Sequence, residues 1–333
     1  MELRKIQEMG GGTAMVSLPK RWVERNRLKK GSVVAMEPLP NNYLVIYPSG
    51  QEAPETKERV IGYPAKHIEL LINEVTGAYL TGCNVIRIRG KQRVTIGDQA
   101  EIKKAIRNLV GLEIVEEDAS SITAQFLLEP TTLSPEKIFR RMHLIAQGMH
   151  RDAIHSLVEE DGLLAKTVTE RDEEIDRLYF LMVRLLRTAA QDLQLSAKYG
   201  LTPVDCLDYR VAANVLEAIG DSAVAIAHEV NRLSPLHFPE KTKTTLSHLA
   251  QCLEEMQETA VRAFLSKSVD EGRLVVSRYR EALEKVEELT KEALEGRSAL
   301  GASMIPIASS IAKISQCNVD IADLATTMYP IVR

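Results

Sequence analysis

Residues 1–50 hold the densest candidate chemistry in the chain: eight bases (Arg4, Lys5, Lys20, Arg21, Arg25, Arg27, Lys29, Lys30) against four acids (Glu2, Glu8, Glu24, Glu37). The net of +4 there leaves −8 for the remainder of a 333-residue chain whose formal total is −4. Cations gathered on a small unit attract phosphates and other anions, so a basic head on an acidic body points to an anion-binding module. The overall balance argues against a chain that coats nucleic acid along its whole length. Other chemistry is sparse. Cys83, Cys206, Cys252 and Cys317 are far apart with no Cys-x-x-Cys pair. Neither a zinc knuckle nor a dithiol motif is indicated, and ordinary thiols in a reducing compartment are expected. His143, His150, His155, His228 and His248 lack a glutamate three residues before them. The Glu-x-x-His pairs of carboxylate-bridged metal enzymes are therefore missing. No Ser-His-Asp or Cys-His arrangement stands out, and the chain reads as a non-enzyme.

The elements that position these residues fall into three stretches. Residues 1–50 read as short strands broken by turn signals: LRKIQEM, the Gly10-Gly11-Gly12 turn, TAMVSLP, a short helix Lys20–Asn26, then SVVAMEPL, the Asn41-Asn42 turn and YLVIYP. Fifty residues of short strands bury little core alone, so this head calls for a partner copy. The polar linker QEAPETKER follows. Residues 60–130 read as β-α-β-α-β-β, with strands VIGY, NVIRIRG, LEIVEE and ITAQFLL and helices over Ala65–Leu80 and Asp98–Leu109. That is a small two-layer α+β unit, connecting or dimerising, with no glycine-rich phosphate loop. From Ser134 onward six helices are predicted, at about 135–160, 163–196, 204–233, 240–266, 271–295 and 302–329. Three long helices followed by three more suggest a duplicated helical hairpin, with Ile175, Leu178, Met182 and Leu185 as one core stripe and Val211, Val215, Ile219 and Ile226 as the next.

The head resembles the AbrB/SpoVT swapped-hairpin family. The likeness rests on LRKIQEMGGGTAMVSLPKRWVERNRLKKGSVVAMEP and YLVIYP, and within them on Val16-Ser17-Leu18-Pro19 and Leu28-Lys29-Lys30-Gly31-Ser32. It implies two interlocked hairpins whose homodimer lays a basic face on DNA, with Arg4, Lys5, Lys20, Arg21 and Arg25 as the DNA-binding residues. Phosphates need clustered cations, and arginine also reads guanine edges. Val23 and Glu24 stand where some members carry two arginines. Some members of this fold are antitoxins that use it for DNA and a toxin together. A solvated basic face that only dimerises or binds a peptide is the plainer reading of the same bases.

The body resembles the PhoU family over about residues 134–330. Glu170–Leu186, ERDEEIDRLYFLMVRLL, looks like its acidic second helix, and Leu216-Glu217-Ala218-Ile219-Gly220-Asp221-Ser222-Ala223 matches the core of its third. Family members bind multinuclear metal clusters through [ED]-x-x-x-D motifs. Carried over, these are Asp172 with Asp176 and Glu217 with Asp221, with His228 as an extra group on the second helix. Residues four apart share a helix face, so each pair offers two carboxylates, and facing pairs repel unless a hard cation lies between them. Oxygen-only ligation implies a divalent or ferric ion (Fe, Mn, Mg or Ca) rather than zinc. The same residues also lie opposite the apolar stripe, where an ordinary helix is solvated. In the second repeat Leu283 and Glu287 replace the first pair, and Ala312 and Gln316 the second, so at most one site is expected.

The resulting expectation is a multidomain α+β chain. It comprises a swapped-hairpin β domain (1–50), an α+β connecting domain (60–130), and an all-α body of two three-helix PhoU-like repeats (134–233 and 239–330). The implied function is a phosphate-linked transcription regulator whose head binds operator DNA as a homodimer or higher oligomer while the body senses state or partners. The alternative is an adaptor that binds no DNA and acts on a phosphate transporter or signalling complex. No run of eighteen apolar residues and no signal-like N-terminus occur, so no membrane insertion and a cytoplasmic location are expected.

Overall fold

The computed structural model describes residues 2–9, 12–38, 44–49, 57–233, 238–295 and 299–327. The expected turns at Gly10-Gly11 and Asn41-Asn42, and linker residues 51–56, lie outside the described residues. The chain divides into two compact units, Met1–Thr56 and Lys57–Arg333.

In the first unit β1 (Gln7–Met9) pairs antiparallel with β2 (Thr13–Met15), and β3 (Val34–Pro38) with β4 (Leu44–Pro48). Between the hairpins lies α1 (Lys20–Arg25), entered through Pro19 and closed by Asn26, whose side-chain amide donates to the Trp22 carbonyl at 2.8 Å. Gly31 sits at φ +91°, a left-handed conformation that strains any residue with a Cβ, which is why the Leu-x-x-Gly turn needs glycine there. Among the described residues of this unit none is buried, and Trp22 is half-buried.

The second unit opens with a four-stranded sheet in the order β5-β6-β8-β7. The strands are β5 (Glu58–Tyr63), β6 (Val85–Gly90), β7 (Leu112–Glu117) and β8 (Ser121–Phe126). β5 and β6 are parallel, the other pairs are antiparallel, and a bulge falls between Ile114 and Glu116. α2 (Ile68–Leu80) and α3 (Ile96–Arg107) connect the first three strands, and the Thr95 hydroxyl caps α3 by accepting from the Asp98 amide. Alternation along the strands sends Ile61, Ile86, Ile88, Ile122 and Ala124 to one face, where they meet Leu71, Val75, Ile102 and Ile106 of the helices. This core is completed from outside the sheet by Leu181 and Leu185.

Seven helices follow among the described residues: α4 (Pro135–Glu159), α5 (Gly162–Gln191), α6 (Leu193–Tyr199), α7 (Pro203–Leu233), α8 (Glu240–Ser266), α9 (Val269–Glu295) and α10 (Ala299–Thr327). The short α6 departs from the six expected helices. Asp192 ends α5 and its carboxylate accepts from the Gln194 and Leu195 amides, so it starts a new helix within a stretch read as one. Side-chain caps at Ser134 and Asp161 set the starts of α4 and α5. Ile175, Leu178 and Met182 on α5 and Ile219 and Ile226 on α7 merge into one continuous core with α4, α8, α9 and α10. Leu185 instead packs into the sheet core, Val215 is only partly buried, and Val211, expected in the stripe, is exposed because the core side of α7 runs through Ala212 and Leu216. No described helix is long and apolar enough to cross a membrane.

Candidate functional site

The carboxylates singled out above lie on α5 and α7, and one small residue controls how closely these helices pack. A Cβ at Gly220 would stand 3.3 Å from Ile175 Cγ2 and 3.5 Å from Met149 Cε, so glycine there admits α5 and α4 to close contact with α7. One turn further on, the Tyr179 hydroxyl and Asn214 Oδ1 are 2.9 Å apart and the Arg210 guanidinium lies 4.8 Å from the Tyr179 ring centre. These contacts make the two helices antiparallel. Asp172 and Asp176 therefore lie on the side of α5 next to Asp221 and Glu217 of α7, close enough for their charges to act on one another.

Electrostatics show that the four groups act on each other. Burial first, then the charges of Asp221 and Glu173, holds Asp172 above the usual carboxylate range, with His228 opposing. Asp176 is pushed up to about 6 by burial and then by Asp172, Asp221 and Glu173. Glu217 is pushed up to about 7 by burial, then by Asp221, Asp176 and Asp172, and Lys313 of α10 opposes the shift. One carboxylate oxygen of Asp172 is buried and meets no donor. An orphaned anionic oxygen among like charges is what a hard cation relieves, and the all-oxygen donor set suits one. Among the described residues, however, no three His, Cys, Asp or Glu side chains stand together closely enough to hold a metal ion. The donor chemistry fits a cation, but the side chains as placed do not form a finished cage. On α10 Gln316 bonds Asp320 at 2.9 Å.

Sequence reading missed two charged groups, Lys313, whose charge acts on Glu217, and the buried Arg184. Lys313 lies on α10, and nothing in its local sequence links it to Glu217. Arg184 left a signal: it interrupts Leu181-Met182-Val183-Arg184-Leu185-Leu186, and all six residues are buried. A charge in the middle of an apolar run on a long helix marks a buried ion that needs partners.

The bases of the head are all exposed: Arg4 and Lys5 before β1, and Lys20, Arg21 and Arg25 on α1. Lys20 is 3.7 Å from Glu24, and Arg4 pairs with Glu2. Exposed apolar side chains accompany them, Leu3 at 85%, Ile6 at 72% and Val33 at 65%, with Met9, Met15, Met36 and Leu44. So many exposed apolar side chains in so small a unit mark an interaction surface.

The family model of the PhoU domain matches residues 139–230. A second, described as antidote-toxin recognition MazE, bacterial antitoxin, matches residues 8–54. Over 105 residues the chain is 30% identical to the phosphate-specific transport system accessory protein PhoU homolog of Aquifex aeolicus (strain VF5). That stretch is 31% of this chain and 48% of the relative, so the match spans about half the relative's length. Among solved structures, PhoU from Pseudomonas aeruginosa shares 20% identity at a TM-score of 0.46, covering 57% of this chain and 93% of that one. The phosphate transport system regulatory protein PhoU from Streptococcus pneumoniae shares 15% identity at a TM-score of 0.51, covering 60% and 96%. This second likeness identifies the fold of the helical body. The chain thus carries a PhoU domain over residues 139–230 and, ahead of it, a MazE/AbrB-like domain over residues 8–54.

Proposed function

We propose that this chain is a phosphate-linked transcription regulator: its head binds operator DNA as a dimer, and its PhoU-type body senses a cation or a protein partner. The observation that carries the reading is the pairing of exposed bases with an unfinished apolar core in the same small unit. A second copy buries Leu3, Ile6, Val33 and their neighbours, and doubling the unit doubles the cations on one surface. The match to a MazE-type domain supports this use of the head, and the name of the Aquifex relative supports a link to phosphate transport. In the body, Asp172, Asp176, Glu217 and Asp221 would hold a hard cation (Fe, Mn, Mg or Ca). Bound there, the ion would supply positive charge that cancels the repulsion between the two pairs.

The test is binding of the purified chain to its own promoter and to phosphate-transporter promoters over a salt series, with Lys20→Ala/Arg21→Ala as comparison. Saturable, sequence-preferring binding that weakens with salt, and weakens at least about tenfold in the variant, is expected. Binding without sequence preference, or unchanged in the variant, removes the head as an operator reader. It would favour instead an adaptor that contacts a phosphate transporter or signalling complex. For that reading the apolar line Val204, Leu207 and Val211, exposed on α7, is the contact surface to test.

A further inference from the structure

The four-stranded sheet of the second unit has two edges, and they are built differently. β7 forms one edge, with a bulge between Ile114 and Glu116 and exposed acids at Glu113, Glu116 and Glu117. A bulge and a rim of one charge are what keep an edge strand from pairing with another chain. β5, at the other edge, has neither. Its ladder to β6 runs from Glu58 to Tyr63 without a shift of register, and its exposed charges, Glu58 and Arg59, are of opposite sign. The Lys57 carbonyl accepts from the Asn84 and Val85 amides, so alternate residues from Lys57 onward turn their backbone groups to β6. Glu58, Val60 and Gly62 turn theirs outward, and all three residues are exposed.

One copy gives no reason for two residues of this strand. Val60 is 52% exposed, on the face of the sheet opposite the buried Ile61. Gly62 is not in a left-handed conformation, and a Cβ there would meet nothing within 4 Å. Glycine weakens a strand interior and is found where another backbone comes close. Among the described residues nothing comes close to it.

We propose that β5 pairs antiparallel with β5 of a second copy, joining two four-stranded sheets into one. The strand is complementary to itself about a two-fold axis at Val60. There Val60 meets the second copy's Val60, and Glu58 stands opposite the second copy's Gly62. Each of these residues turns its backbone outward, so each pair exchanges both its N–H···O=C bonds. Glycine opposite Glu58 leaves the carboxylate a path to the second copy's Arg89, since Arg89 is exposed and lies beside Gly62 in the β5–β6 register. An acid of one copy thus meets a base of the other at both ends of the ladder, and the two valines cover each other between them. Moving the axis to Arg59 sets that arginine against itself and Glu58 against Val60, which forfeits both contacts. The head precedes β5 in the chain, so two copies paired here carry two heads on adjoining strands. The pairing stands whether or not those heads bind DNA.

The experiment uses the full chain as wild type, Val60→Cys and Val115→Cys, with a short bis-maleimide cross-linker. Val115 is the comparison because it is similarly exposed, at 45%, but lies on β7. Val60→Cys is expected to give about tenfold more covalent dimer than wild type, because the paired thiols are held together. Wild type, with its half-buried Cys83, sets the background, and Val115→Cys is expected to stay there. Dimerisation through the head alone favours neither position. In wild type, hydrogen exchange over residues 58–63 is expected to slow about tenfold as the chain is concentrated through its dimer dissociation constant. Cross-linking of Val60→Cys no better than wild type, or matched by Val115→Cys, overturns the pairing. So does exchange over 58–63 that stays fast at every concentration, a readout that needs no variant. Protection without any Val60→Cys cross-link means that another strand covers the edge, and overturns the second copy as its partner.

Discussion

Asp176 and Glu217 stand at about 6 and about 7, raised by burial first and by their acidic neighbours second. Groups whose folded values are raised take up protons more readily in the folded state, so they favour folding most at low pH. That contribution is lost as pH rises from about 4 toward 7. His143 and His150 work in the opposite direction. Burial depresses both to about 4, so the stability they contribute is lost as pH falls below about 6.5. Comparing Asp176→Asn with wild type cancels the histidine effect. Without added metal, the variant is expected to gain stability over wild type as pH rises from 5 to 8, read by urea unfolding. Saturating Mn²⁺ should narrow or reverse that gain at pH 8. A difference that does not change with pH would mean that Asp176 is an ordinary solvated acid.

Packing between elements depends on Gly220, which sits within the Leu216–Ala223 string. Glycine normally costs a helix about 1 kcal/mol against alanine. Here it is compensated by the approach of α5 and α4, since a Cβ would already meet Ile175 Cγ2 at 3.3 Å. Gly220→Ala is expected to be near neutral, its gain in helix propensity set against that tight contact. Gly220→Val adds branches beyond the same point and should cost about 1–3 kcal/mol in urea unfolding. It should also weaken cation binding, because it separates the two acidic pairs. A valine variant as stable as wild type would show that the α5–α7 contact is loose. Helix and strand positions were largely readable at this scale, because apolar periodicity and turn residues are local. The α5/α6 break was not, since no glycine or proline marks it and only the Asp192 side-chain cap on the Gln194 and Leu195 amides starts α6.

For the whole molecule, the division at Thr56/Lys57 separates a unit with no buried residue among those described from one with two cores. A chain of residues 57–333 keeps Arg184, α2 and both cores. It is expected to unfold within a few degrees of the full chain, as read by circular dichroism melting, and, on the proposed function, to give no electrophoretic shift with a DNA that the full chain shifts. If the head dimerises as proposed, residues 1–56 alone should gain structure with concentration, since a second copy would cover their exposed apolar groups. Folding independent of concentration would mean that the head needs no second copy.

Several properties were fixed by local order alone: the basic head, the β-α-β-α-β-β run, the long helices, and the PhoU and MazE/AbrB-like likenesses. They follow from charge counts, from periods of two or of three to four residues, and from short motifs in contiguous sequence. The carboxylate pairs could also be named from their spacing within one helix. Tertiary structure alone decided how far the acids of α5 and α7 raise one another, that the charge of Lys313 on α10 acts on Glu217, and that Leu181, Arg184 and Leu185 bind the α+β domain to the bundle. Those outcomes depend on burial and on charges brought close by residues distant in sequence, and neither is encoded in any single window of the chain.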